Sequence, residues 1–187
     1  MRTSPSSDAN VRSSAYCVAH TLIECWHCGR ITPVVALAVP SGHETRGESD
    51  EGEMPAAAGS PAAAGPQVAA GPPVGAGSGT ETWDRIDACA LLFMVREISD
   101  RVGAELQRLA PAFRRSDGPS SFESRWANHC DRCGRALEDQ VLHGEPDVAF
   151  VPTSAGRARS IVIETVREPF EAGIDGYSLD PLFLDVP

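Results

Sequence analysis

No lysine occurs anywhere in the 187 residues. All 16 basic side chains are arginine, and they are outnumbered by 26 acids for a net charge of −10. A protein that grips phosphate backbones without regard to sequence needs a positive surface, so this balance argues against that class. The shortfall is uneven. Residues 136–187 carry ten acids against three arginines, whereas 114–135 hold five arginines against three acids. Long apolar runs are missing too, which excludes a helical membrane span. The opening MRTSPSSDANVRSSAY has no apolar core of a signal peptide, making a reducing cytoplasm the default compartment. Residues 44–81 have only Met54 and two valines as sizeable apolar side chains among Pro, Gly, Ala and acids. Such a stretch cannot bury enough surface to offset its ordering entropy and is expected to be a disordered linker. Residues 1–14 read as a flexible tail for the same reason. The absence of lysine beside an Ala/Gly/Pro tract is what a GC-rich bacterial coding sequence produces.

The remainder, 15–43 and 82–187, is expected to form one discontinuous domain. Apolar content of 42% is enough for a core. AYCVAHTLIEC (15–25) reads as a strand, and the proline-bounded run TPVVALAVP as a second at 34–39, the two forming a hairpin. ALLFMVREI (90–98) reads as a strand, with a helix beginning near Asp84 as the alternative. Ser99 can cap a helix whose Val102, Leu106 and Leu109 share a face, and Pro111 stops it. Candidate strands at 140–143 and 148–151 flank the turn signal Gly144-Glu145-Pro146, and another spans 158–166. The C-terminal stretch reads as irregular, with Phe170, Tyr177, Leu182 and Phe183 able to pack across a sheet. The expected class is α+β: a small, mostly antiparallel, zinc-ribbon-like sheet with one helix.

Chemistry concentrates in two copies of C-x-x-C-G-R, ECWHCGR at 24–30 and HCDRCGR at 129–135. Two residues between cysteines let the chain wrap so that both sulfurs face one ion, and the following Gly29 and Gly134 supply positive φ. Together Cys25, Cys28, Cys130 and Cys133 make one complete tetrahedral shell for a structural Zn2+. The 101 residues between the copies are no obstacle. Each doubling of a loop costs roughly 0.6 kcal/mol, while structural zinc contributes about 10–16 kcal/mol in small peptides. A thioredoxin-like pair is the rival reading of CWHC, but Gly29 and Thr32-Pro33 continue a helix poorly. Cys17 and Cys89 sit in apolar segments and read as inert packed thiols. His27 and His129 are expected as exposed turn residues or outer donors, His143 as a satisfied structural histidine, and Trp26 and Trp126 as packing around the sulfurs.

A closed four-sulfur shell leaves no position for activated water, so the chain reads as a non-enzymatic module for an unknown protein partner. Two other classes stay open. Arg30, Arg114, Arg115, Arg125, Arg132 and Arg135 with Trp126 could line a nucleic-acid face. An enzyme could use thiol redox chemistry, or His143 with Glu145 and Asp139.

In combination, Cys25-Trp26-His27-Cys28, Thr32 to Leu37, Leu109 to Phe113, Trp126 to Gly134, Leu142 to Pro146 and Phe150 to Pro152 resemble a family of small bacterial zinc-ribbon proteins. The likeness covers most of the chain outside tail and linker. It departs at Glu138-Asp139-Gln140, where the family pattern has Gly-Asp-Phe. The resemblance implies zinc binding and an α+β fold, and it brings no activity with it.

Overall fold

A computed structural model describes residues 8–46, 68–70, 82–116, 124–181 and 183–184. In chain order these form β1 (Val11–Ser13), β2 (Tyr16–Glu24), β3 (Ile31–Val39), β4 (His43–Arg46), β5 (Val68–Ala70), β6 (Trp83–Ile86), β7 (Ala90–Ile98), α1 (Asp100–Leu109), β8 (Phe113–Ser116), β9 (Arg125–Asn128), α2 (Asp139–Gly144), α3 (Ala155–Ala158), β10 (Val162–Val166) and β11 (Phe170–Leu179). Nine strands make one sheet in the order β10-β2-β3-β7-β11-β1-β4-β6, with β5 also on β11, and β8 pairs with β9 separately. All of these pairings are antiparallel. The class is mostly antiparallel sheet with three short helices among the described residues, and none of these is long and apolar enough to cross a membrane.

Strand alternation gives the sheet two buried faces. Tyr16 and Val18 of β2, Val35, Leu37 and Val39 of β3, and Leu92 and Val95 of β7 pack toward Val102 and Leu106 of α1 and Phe113. Cys17, Ala19 and Ile23, then Val34, Ala36 and Ala38, point the other way, toward Leu137, Leu142, Phe150, Phe183 and Leu184. Burying each large aliphatic side chain is worth about 1.5–3 kcal/mol, so both layers are needed to hold the sheet. The helix α1 forms as its sequence dictates: Ser99 Oγ accepts from the Val102 N–H, and Val102, Gly103 and Leu106 are the buried positions on its inner face. The hairpin β2–β3 and strand β7 also appear where the apolar runs lie, with Leu22 opposite Pro33 and Glu24 opposite Ile31.

Several segments depart from the sequence reading. Of the expected tail, residues 8–14 are inside the fold. Val11 is 1% exposed and pairs with both Ala172 and Thr45, while the Asn10 side chain donates to Ile174 O and accepts from Ile174 N–H. Of the expected linker, 44–46 belong to β4 and 68–70 form β5 on β11, while 47–67 and 71–81 lie outside the described residues. The strands expected at 140–143 and 148–151 are instead α2 and a turn, with Phe150 N–H on Leu142 O. Val141 is a β-former, but strand preference acts only where a ladder partner is free, and Leu142 suits a helix. The run 158–166 begins as the end of α3 and becomes strand at Val162.

The largest difference is at the C-terminal end. Phe170–Leu179 is the longest strand and lies centrally, between β7 on one side and β1 with β5 on the other. Its glycines read as breakers in sequence, yet they are what the crowding requires. A Cβ on Gly176 would sit 2.2 Å from Phe93 Cε2, and one on Gly173 would sit 2.7 Å from the Asp8 carbonyl oxygen.

Four ladders, β10–β2, β3–β7, β1–β11 and β4–β6, join residues before position 47 to residues after 81. A chain split genetically between residues 57 and 58 is therefore expected to reassemble from its two halves. Because those ladders do not involve Cys25, Cys28, Cys130 or Cys133, the halves should co-elute on size exclusion with or without chelator.

Candidate metal centre

Both C-x-x-C segments fold as the same tight hairpin. In the first, Cys25 N–H donates to Arg30 O at 2.8 Å and Gly29 N–H to Cys25 O at 2.8 Å. In the second, Cys130 N–H donates to Arg135 O at 2.9 Å and Gly134 N–H to Cys130 O at 2.9 Å. Gly29 and Gly134 have φ of 66° and 73°, the left-handed region that the turn demands and that a Cβ would strain. The first knuckle is the tip of the β2–β3 hairpin. The second follows β9, with His129 bridging to Ala136.

The two knuckles meet because β3 has an unfilled edge. β7 pairs with β3 only over Leu37–Val39, and beyond that point the strand needs another partner. Asn128 supplies it. Its Oδ1 accepts from Val35 N–H and its Nδ2 donates to Val35 O, both at 2.8 Å, and the residue is 2% exposed. One step on, the Asp131 N–H donates to the hydroxyl of Thr32 at 3.1 Å, with Thr32 fully buried. Buried backbone groups must be paired, so these contacts fix the second knuckle against the strand that carries the first.

The result gathers all four predicted sulfurs. Cys25 and Cys133 Sγ lie 3.9 Å apart, Cys28 and Cys130 Sγ 3.7 Å apart, and all four fall within 4.8 Å of one another. Every one of the chain's cysteines is a free thiol, and a disulfide would need about 2.05 Å. Cys25 and Cys130 are buried, while Cys28 and Cys133 are exposed. This arrangement is compatible with holding a metal ion. Charge crowding points the same way. Cys130 is brought down to about 6, first by the Cys133 backbone N–H and then by that of Arg132. Cys28, although its thiolate is favoured by an N–H from Arg30, is pushed up to about 12 by partial desolvation and by the neighbouring sulfurs of Cys130, Cys25 and Cys133. Four thiolates this close cannot all ionise without a cation among them.

The surrounding residues divide. His27 is exposed, as expected, with Arg135 Nη1 3.5 Å from its Nδ1. Trp26 is 40% exposed and its ring is 5.9 Å from that of His27. Trp126 does not surround the cluster: its ring packs on Phe113 and against Gly103 of α1. His129 is not an exposed turn residue either. It is 5% exposed, with Nδ1 3.0 Å from Ala127 O. His143 is not the satisfied histidine expected; its ring packs on Phe93 and Phe150, and its buried Nδ1 has no protein partner among the described residues. Cys17 is buried, as expected, 3.6 Å from Thr165 Oγ1. Arg125 lies 3.1 Å from Asp175 and Arg132 3.7 Å from Asp131, so part of the candidate basic face is neutralised. Asn128 and Thr32, which dock the knuckles, carry no chemical signature in sequence beyond their places in W-x-N-H-C and C-G-R-I-T.

Removing the Asn128 clamp leaves two buried backbone groups unserved. Asn128→Ala is expected to cost about 2–6 kcal/mol in urea unfolding, at roughly 1–3 kcal/mol per orphaned group. Asn128→Asp should not rescue, since a carboxylate accepts from Val35 N–H but cannot donate to its carbonyl. A pH effect follows from His43 and His143. Burial lowers both pKa values below 6.5, opposed for His43 by the Pro40 and Ala88 backbone and for His143 by Asp139. Below pH 6.5 the unfolded chain binds protons that the folded chain refuses. Stability of the metal-free protein should therefore fall as pH drops below 6.5, levelling off beneath the depressed folded values. Urea midpoints at neutral and mildly acidic pH check this.

Against known proteins, the chain matches no family model, no curated protein and no solved structure.

Proposed function

We propose that Cys25, Cys28, Cys130 and Cys133 hold one structural zinc ion in a zinc-ribbon-type arrangement, and that the chain is a non-enzymatic module that docks on another protein. The observation that carries the metal half is the sulfur geometry. Thiolates about 2.3 Å from a tetrahedral ion stand about 3.8 Å apart; two of the four cross-knuckle pairs lie at 3.7 and 3.9 Å, and all the sulfurs fall within 4.8 Å of one another. Sulfur donors in this number favour zinc over the oxygen-loving cations. With four sulfurs in place the shell has no open position, which leaves the ion a cross-link rather than a catalyst.

Support for the docking half comes from the same end of the molecule. Leu22 and Ile31 are 68% and 57% exposed, and with Pro33 and Glu24 they share one face of the β2–β3 hairpin beside Trp26. Apolar side chains grouped on a surface next to a rigid centre are a common form of protein contact. A redox reading gains nothing from the surroundings, because the chain leaves the first knuckle as strand β3 instead of the helix such pairs use.

Metal analysis of the protein purified from zinc-supplied cells tests the first half. One zinc per chain is expected, falling well below one in Cys133→Ser, and a metal-free wild type would overturn the reading. For the second half, Leu22→Asp with Ile31→Asp should keep the zinc while removing complexes trapped by in-cell crosslinking. Unchanged complexes would overturn the docking surface.

A further inference from the structure

Away from the sulfurs, an open cleft of about 320 Å3 lies where β7 faces β9 and the start of α2. Its walls include Met94, Ser116, Arg125, Trp126, Glu138 and Asp139. None of these belongs to the four-cysteine cluster, and three features of the cleft require a common explanation.

Met94 has φ of 53°, a left-handed conformation uncommon for a long side chain. It is held there by its backbone N–H, which donates to Asp139 Oδ2 at 2.7 Å. Residues in such conformations concentrate at ligand sites, where surrounding contacts over-determine them. Next to it, the ladder between β7 and β11 shifts register at Gly173/Ile174. The second feature is charge. Asp175 lies 2.7 Å from Arg96 Nε and 3.1 Å from Arg125 Nη2, so one carboxylate serves two guanidiniums and one positive charge remains in excess on the Arg125 side. Third, the same cleft is lined by two carboxyl groups, Glu138 and Asp139, one of whose four oxygens is used by Met94.

A cleft lined by both a guanidinium and carboxylates suits a ligand that carries both signs. We propose that it binds a small zwitterion of the α-amino-acid class. The ligand carboxylate would take Arg125, and its ammonium group would take Glu138 and Asp139. The volume sits at the lower end of small-molecule sites, which suits a metabolite of that size rather than a nucleotide. Arg125 suits the carboxylate because its planar fork can hold Asp175 on one side and a second oxyanion on another.

Titration calorimetry on the purified full chain tests this, using the L-amino acids, their carboxamides and their N-acetyl forms as probes. At least one free amino acid should saturate the protein, and each of its blocked forms should bind about tenfold or more weakly, as loss of one charged partner demands. Arg125→Gln and Glu138→Gln should each weaken binding by a similar factor. Glu138 is exposed, so its replacement leaves the fold intact, which an unchanged thermal melt would verify. The proposal fails if no amino acid saturates, if blocked forms bind as well as free ones, or if Glu138→Gln binds normally.

Discussion

A strand buried in a sheet has hydrogen-bonding groups along both of its edges, and β3 has a neighbouring strand along only part of one. Much of the molecule follows from how that vacancy is filled. β2 covers one edge throughout, while β7 covers the other only from Leu37 to Val39. The uncovered groups at Val35 are taken by a side-chain amide, which offers one donor and one acceptor at nearly the spacing of a peptide. Asn128 thus serves β3 as a strand would, but it brings with it the segment bearing Cys130 and Cys133. Asn10 does the same for Ile174 at the other side of the sheet, where it secures the N-terminal strand.

Placing the second knuckle by docking rather than by metal alone has an energetic consequence. A site assembled only by its ion must recover the whole cost of bringing distant chain segments together. Here the sheet has already met that cost, because four ladders join the two halves of the chain. What remains for a cation is the mutual repulsion of four crowded sulfurs, of which Cys25 and Cys130 sit in the apolar layer under the sheet. An ion held there would therefore stiffen an existing junction between hairpin tip and second knuckle.

Much of this was legible before the fold was known. The paired C-x-x-C-G-R frames named all four sulfurs, since tetrahedral coordination and positive-φ glycines are local demands that spacing expresses directly. The hairpin, β7 and α1 were legible for a similar reason: apolar runs and a Ser cap act over a few residues. The misread segments share the opposite character. VLH at 141–143 has the strand-forming Val141 without a free ladder, while FEAGIDGYSL has two glycines in a strand whose neighbours leave no room for Cβ atoms. Trp126 and His129 were assigned by proximity in sequence to Cys130, yet alternation along β9 and the knuckle turn sends them to α1 and to backbone carbonyls.

By itself, then, the sequence determined the four clustered cysteines, the helix α1 and the hairpin, because each rests on chemistry or periodicity contained within a dozen residues. Only the tertiary structure decided that Val11 and Phe170–Leu179 belong to the centre of the sheet, that Asn128 completes β3, and that Met94, Arg125 and Glu138 share a cleft. Those outcomes depend on which backbone edge is left unpaired and how much space remains beside it. Both are properties of the assembled sheet, and no single segment carries them.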